Sequence, residues 1–596
     1  NPNPAKFSAN IKRLWMHISL SRRKQFTWLL GLMMLTSAVE IVGIGLLLPF
    51  LSILLDPEPI FHNSFAQPFV NFLGFTKPEQ LLPPVTFVFA VTLLVAGLMR
   101  VVLFWAQIRI SHGVGADLSI SIYRKTLYQP YSVHISRNSS EVIATISQKA
   151  SHAVSNIVFP VFTVINSIFM ACLILTLLFF INFELTLILF ASLGGIYLLV
   201  MKTANKYLVI NGRRVNVEQT RVIKMLREGL GGIRDILIDG TQEVYCTQYQ
   251  SADLPLRRAH ANAQIIGGSP KFIIESVSIT AIVLFAFVIS GDKDGLQSVI
   301  PALGTLILGA QKILPLLQQL YGSFTSIVSG QPSLEESLSF LEQKVPDYIS
   351  KKRSSEQMSF KSNIEIKAIG FGYVGNKPAI LKDISLVIPK GIKIGFIGST
   401  GSGKSTLLDI IMGLLSSTQG SLLIDKIPIT SENDFLWRKH ISHVPQEIFL
   451  SDTTVKENIA FGVVIDEIDM DRVRDAAKKA QIFQTIESWD GGYDAKVGER
   501  GVRLSGGQRQ RIGLARALYK QADVIVLDEA TSALDDKTET NVMEAIENMS
   551  TEITVIIVAH RLTTLKNCSQ IVELENGHIK NVGSYNDIIL KRGVTL

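Results

Sequence analysis

Six apolar runs of bilayer-crossing length fall between residues 26 and 315, and nothing else in the sequence limits the fold so strongly. A hydrocarbon core about 30 Å thick takes roughly 20 residues at a helical rise of 1.5 Å each. The runs are 26–55, 83–108, 157–182, 184–202, 270–290 and 294–315. Inside a bilayer the backbone polar groups must pair within the chain, so each run is expected as a helix. The mean hydropathy of +0.30, with 47% hydrophobic and 18% charged residues, conceals two unlike halves. From about residue 360 charged residues are frequent and apolar runs shorten to strand length.

The net charge of +7 points to a membrane rather than to nucleic acid. Part of the excess (Lys12, Arg13, Arg22, Arg23, Lys24) lies immediately before the first run, where it reads as positive-inside topology and contact with anionic headgroups. No nucleic-acid partner is expected. An even number of spans returns both ends of this half to the cytoplasmic side, and residues 7–20 suit a short interfacial helix. The first run is too long for a signal peptide and lacks a small-residue cleavage site, so no cleavable leader is expected. Cys172, Cys246 and Cys568 follow no metal-ligand spacing and read as small apolar fillers.

The connections 109–156 and 203–269 are long, polar and basic. They are expected to carry their helices into the cytoplasm and reverse through short coupling segments at 129–136 and 229–236, where Pro130 or Gly229, Gly231 and Gly232 interrupt the helical pattern. Between the first two runs, Phe61, Phe65, Phe69 and Leu73 recur every four residues, the spacing of one helix face. Pro57, Pro59 and Pro68 limit where that helix begins. An amphipathic helix at about 60–75 on the outer interface fits the pattern, and so does a loop plug packed on neighbouring spans.

The soluble half carries the chemistry. Gly398-Ser399-Thr400-Gly401-Ser402-Gly403-Lys404-Ser405 follows a strand-like run and precedes a helical pattern beginning at Thr406, the context of a phosphate-cradling P-loop. Its glycines let backbone N–H groups turn onto phosphate, Lys404 reaches the β/γ oxygens, and the Ser405 hydroxyl can ligate Mg²⁺. Val524 to Leu527 is an apolar strand ending in two acids. There Asp528 can hold Mg²⁺ through water, and Glu529 can orient or deprotonate an attacking water. Gln446 follows Val444-Pro445 and could reach Mg²⁺ and that water, while His560 follows another apolar run and could reach the γ-phosphate. Tyr373 precedes the P-loop by about 25 residues and can stack on adenine, with Phe371 assigned to the core. Leu504-Ser505-Gly506-Gly507-Gln508 opens a good helix former, a place where an N-terminus can meet phosphate.

In order and spacing these motifs, with Ser532-Ala533-Leu534-Asp535, resemble the ATPase domains of ABC transporters. With six preceding spans, nearly the whole chain resembles an ABC exporter half-transporter of the type IV membrane fold. The expected fold is therefore a six-span α-helical membrane domain over 1–340, a linker over 341–362, and an α/β P-loop ATPase domain over 363–596. The resemblance implies ATP and Mg²⁺ as ligands and a multi-pass protein of the cytoplasmic membrane. It also implies head-to-tail closure of two ATPase domains, in which Ser505, Gly506, Gly507 and Gln508 of one chain complete the site at Lys404 of the other. Intact motifs favour a C₂ homodimer.

Substrate signals are thinner. Arg100, Lys271 and Lys312 are the cations near membrane depth, Glu40 and Glu275 the anions. Arg100 is expected to hold an anionic head such as phosphate or pyrophosphate. Lys271 and Lys312 are either site residues or chain-end lysines that snorkel to water. The pattern between the first two runs, together with Tyr131–Glu141 and Gly231–Ile236, looks like the bacterial flippases of lipid-linked oligosaccharide for protein N-glycosylation. That resemblance implies a polyprenyl-pyrophosphate glycan or related glycolipid as substrate. Exporters of other lipids, peptides or drugs share the engine, and an ATP-gated channel or regulator is the alternative of another class.

Overall fold

The computed structural model describes residues 4–55, 57–62, 67–181, 183–290, 295–345, 358–373, 379–530, 536–547, 552–559 and 562–592. The chain divides into two compact units: Asn1–Gln129 with Arg137–Lys344, and Pro130–Ser136 with Val345–Leu596.

The first unit is helical. Its long elements are α1 (Pro4–His17), α2 (Leu20–Leu55), α3 (Leu82–Leu127), α4 (Phe159–Ile181), α5 (Phe183–Gly231), α6 (Gln242–Ser290) and α7 (Gly295–Leu341). Pro83 opens α3 in the first turn, where a missing N–H leaves no bond unmade. Among the described residues three stretches are long and apolar enough to cross a membrane: Leu20–Leu54, Pro78–Leu127 and Ser139–Phe180. The other three expected runs fall on α5, α6 and α7, helices of 49, 49 and 47 residues. Residues 291–294, which follow the fifth run and include the first residue of the sixth, lie outside the described residues.

One expectation needs correction. The four-residue repeat from Phe61 to Leu73 does not run as one helix: Glu58–Phe61 ends at a cap on His62, and the next described helix covers Gln67–Leu73, with 63–66 outside the described residues. Pro59 sits in the first turn of Glu58–Phe61, a position that proline starts but cannot extend backward from. Phe65 lies outside the described residues. A second difference concerns the cysteines, since Cys568 is buried but Cys172 and Cys246 are exposed.

Before α4 the chain runs through helices Ser139–Ala144 and Ala150–Ala153, interleaved with π turns at Thr145–Lys149 and Val154–Val158. The first π turn carries Lys149, which is 1% exposed, to the Glu336 carboxylate on α7. Asn216 Nδ2 donates to the same carboxylate at 2.5 Å, and Thr145 Oγ1, whose proton is shared with Glu141 O at 2.8 Å, lies 3.2 Å from it. A buried ion pair tolerates its desolvation only with such extra donors. Leu14, Met33, Ile122, Ile157 and Leu338 form the apolar core around this part of the unit.

The second unit is α/β. An antiparallel sheet has the order β2-β1-β4-β5, formed by Asn363–Phe371 (β1), Leu381–Pro389 (β2), Gln419–Ile424 (β4) and Ile427–Pro428 (β5). A six-stranded sheet has the order β10-β9-β3-β8-β7-β6. Its strands are Lys393–Gly398 (β3), Ile441–Val444 (β6), Val524–Asp528 (β7), Thr554–Val558 (β8), Gln570–Glu575 (β9) and His578–Gly583 (β10). β3, β8, β7 and β6 run parallel, and β7 and β8 are near-continuously buried, as a strand covered on both faces must be. Helices α8 (Lys404–Ile411) and α9 (Gly506–Tyr519) place the two glycine-rich motifs.

Candidate functional site

The loop after β3 turns where only glycine can. Gly398 has φ +157°, and a Cβ there would meet Leu574 O at 2.3 Å and Ser402 Oγ at 2.6 Å. Gly403 caps α8 with φ +102°, and a Cβ would meet Leu381 Cδ2 at 2.7 Å. Side chains at either position would push the loop off the sheet, so its geometry follows from composition. Lys404 Nζ donates to Gly398 O and Ser399 O at 2.8 and 3.0 Å, which holds the ammonium inside the loop. Ser402 Oγ is buried without a hydrogen-bond partner. Thr400 and Gly401 are exposed, and a Cβ on Gly401 would meet nothing within 4 Å, so the face of the loop is open. These features fit a phosphate cradle at a helix N-terminus. Ser405 is exposed and Thr406 buried on the first turn of α8.

Opposite the loop, β7 ends in the two acids. Glu529 takes a left-handed conformation, φ +51°, while its N–H donates to Val558 O at 3.0 Å. A non-glycine residue held there by a sheet bond is strained, and strain of that kind fixes where a side chain points. Gln446 Nε2 donates to Glu529 Oε2 at 2.7 Å, so the two residues expected around the attacking water meet. Asp409, one turn beyond Ser405, has its carboxyl pushed up to about 6 by burial and then by the nearby negative charge of Asp528. Sequence reasoning missed Asp409. Its only signal was an acid inside the apolar stretch Leu407-Leu408-Asp409-Ile410-Ile411. The excess of negative charge suits a divalent cation, and Ser405, Asp528 and Gln446 are the residues that would hold it.

Ser505 is the N-cap of α9. Its Oγ accepts from Gln508 N at 3.2 Å, and Gln508 Oε1 accepts from Ser505 N at 2.8 Å. This capping box fixes Ser505, Gly506, Gly507 and Gln508 as one helix start. Tyr373 is exposed, edge-on at 5.1 Å to Phe371, which is buried. His560 and Ser532–Asp535 lie outside the described residues.

In the helical unit the membrane-depth cations separate. Arg100 Nη1 lies 3.5 Å from Glu40 Oε1, so its charge is balanced within the unit. Lys271 is exposed on α6, and the side chain of Lys312 lies outside what the structure describes.

Residues 381–532 match the family described as ABC transporter, and residues 33–297 match the ABC transporter transmembrane region. An ATP-dependent lipid A-core flippase of Saccharophagus degradans is 30% identical over 484 residues, which cover 80% of each protein. The heterocyst differentiation ATP-binding protein HepA of a Nostoc species is 31% identical over 401 residues, 67% of this chain and 65% of that relative's length. A bacterial Atm1-family ABC exporter, solved with ATP bound, superposes with TM-score 0.79 at 21% identity, covering 96% of this chain and 97% of the other, a likeness of fold.

Proposed function

We propose that this chain, which belongs to the ABC transporters and has the membrane and ATPase domains of an exporter half-transporter, works as a homodimer. ABC transporters couple ATP hydrolysis to transport, and here the transported molecule is an amphipathic lipid, a polyprenyl-pyrophosphate glycan or related glycolipid. Six spans, three on each of the helix sets α2–α4 and α5–α7, carry it across the cytoplasmic membrane, with the ATPase domains in the cytoplasm. The observation that carries this reading is the meeting of Gln446 with a strained Glu529 beside an open P-loop, in a chain whose other unit is long apolar helices. A relative named as an ATP-dependent lipid A-core flippase supports the lipid class, while relatives named for multidrug export keep other amphipathic cargo as the second reading.

The mechanism is a population shift. Backbone N–H groups of 398–403 and Lys404 bind the phosphates, Tyr373 stacks on adenine, and Glu529 takes a proton from a water that Gln446 orients. Mg²⁺ bound at Ser405 and Asp528 would neutralise charge on the phosphates. His560, which follows the Ile553–Val558 run in sequence, would contact the γ-phosphate. Ser505, Gly506, Gly507 and Gln508 of the partner chain present a helix N-terminus to the same phosphate, so closure of the pair depends on it. Loss of that phosphate loosens the pair, and segments 129–136 and 229–236 relay the change.

Full-length protein reconstituted in proteoliposomes tests the reading. ATP should drive a fluorescent glycolipid between leaflets at a rate that follows ATP hydrolysis, and the active particle should hold two chains. A fully active monomer, or hydrolysis with no lipid movement across a panel of lipid, peptide and drug probes, would refute it.

A further inference from the structure

Within the helical unit lies a cavity of about 510 Å³, walled by α2, α3, α4 and α7 at the level of Glu40 and Arg100. Its lining mixes apolar side chains such as Phe104, Phe159 and Met170 with polar ones unusual at membrane depth, among them Thr36, Gln107, Thr163, Asn166, Gln311 and Gln319. Polar side chains there are costly without a partner or a task. Helix packing accounts for part of them. Thr36 Oγ1 and Thr163 Oγ1 donate to Leu32 O and Phe159 O on their own helices, at 2.8 and 3.2 Å. Ser167 Oγ donates to Gln319 Oε1 at 3.1 Å.

What remains is informative. A hydroxyl whose proton is committed to its own helix offers only lone pairs, so Thr36 and Thr163 present acceptors. Asn166 Oδ1 is a buried acceptor with no partner. Arg100, the cation of this lining, already faces Glu40 at 3.5 Å. A phosphate is all acceptor and needs surplus donors and positive charge. This wall offers carboxamides that donate and accept alike (Gln107, Asn166, Gln311 and Gln319), hydroxyl lone pairs and a balanced charge. A sugar matches that mixture, because each hydroxyl can donate to a lone pair such as that of Thr163 and accept from an amide NH₂ such as that of Asn166 or Gln319.

We propose that this cavity binds the uncharged, polyhydroxylated part of the transported lipid, and that the Arg100–Glu40 pair closes its edge instead of capturing phosphate. The inference rests on the lipid-export reading above and assigns the sugar moiety to a site within it.

The test uses the full-length dimer in phosphatidylcholine proteoliposomes with two fluorescent probes, a monoglucosyl diacylglycerol and a sugar-free polyprenyl phosphate. Each variant is normalised to its own ATPase rate without lipid. The glucolipid should stimulate the wild-type protein and move between leaflets. Asn166→Leu should raise its half-maximal concentration about tenfold, and the near-isosteric Thr163→Val about threefold. The double replacement Glu40→Gln with Arg100→Gln should leave the half-maximal glucolipid concentration unchanged, a smaller shift than that of Thr163→Val. Because valine matches threonine in shape, a folding failure of Asn166→Leu would still leave Thr163→Val to decide. Stimulation by the sugar-free phosphate alone, with loss in the Glu40/Arg100 double variant, would overturn the sugar assignment and leave lipid export standing. Unchanged glucolipid response in both Asn166→Leu and Thr163→Val would overturn it too. Movement of no lipid probe by the wild type would sink the export reading itself.

Discussion

At the ATP site the backbone positions the chemistry, whereas in the membrane unit side chains on separate helices position one another. Gly398 and Gly403 shape the loop through φ values other residues avoid, Glu529 is strained at a strand end, and Ser505 is fixed by a capping box. Each device spans a few consecutive residues. Around Lys149 and Arg100, by contrast, the partners come from helices far apart in sequence: Glu336 lies 187 residues from Lys149. The difference teaches that hydrolysis can be set by local sequence while substrate choice depends on how helices meet.

The largest effect should come from breaking the chemistry on the rigid side. Glu529→Gln removes the proposed base but keeps the amide bond to Val558 O and leaves an acceptor oxygen for Gln446. ATP turnover should fall about a thousandfold, with ATP binding retained. Single-turnover hydrolysis and nucleotide binding, measured on the same preparation, check this. A variant that kept more than a tenth of the rate would mean that the strained geometry does not mark the base.

The next effect probes the other side. Lys149→Met leaves the Glu336 carboxylate buried without its cation, and one-sided loss of a buried pair costs about 3 kcal/mol. Thermal unfolding of the full chain in detergent should show that drop, and Lys149→Met with Glu336→Leu should recover more than half of it. If both variants unfold alike, the pair is not the joint between α7 and the π-turn segment that its burial implies.

These two variants also show what could be read in advance. The P-loop, the paired acids and the Leu504–Gln508 stretch were legible because their physics is local: glycine at forced φ, a buried strand ending in carboxylates, a serine three residues before glutamine. Helices of bilayer length were legible from apolar runs alone. The helix end at His62 was not, because the four-residue repeat continues past it in sequence. The pairing of Arg100 with Glu40 escaped as well, since each residue shows separately in sequence and their meeting depends on how α2 and α3 pack. Asp409 was hidden for a like reason, its neighbour Asp528 being more than a hundred residues away.

A smaller effect sharpens the claim that backbone shape governs the ATP site. Gly398→Ala puts a methyl 2.3 Å from Leu574 O, a backbone atom that cannot swing aside. Overpacking of this kind costs about 2 kcal/mol, and nucleotide affinity should fall at least tenfold as the loop shifts. Gly401→Ala meets no atom but must hold φ +83°, so it should cost about 1 kcal/mol and less affinity. Equal losses in the two would assign the effect to φ alone and remove the close approach to β9 from the account.

The smallest effect is electrostatic, and it asks whether the rigid site stores unfavourable charge before nucleotide arrives. Asp409 titrates at about 6 in the folded chain against an ordinary 3.8, so its charged form is the disfavoured one. Below pH 4 it is protonated in both folded and unfolded states and costs nothing. The cost grows as pH rises from 4 to 6 and is complete above that. Asp409→Asn should therefore stabilise the full chain at pH 7.5, by about 1 kcal/mol once solvent screening of a half-exposed carboxyl is allowed for. The gain should vanish near pH 4. Melting temperatures of the two proteins across pH 4 to 8, without nucleotide, give the comparison directly. A pH-independent gain would come from the burial of a polar group alone, whereas a gain that switches on between pH 4 and 6 belongs to the charged carboxylate, disfavoured first by burial and then by Asp528.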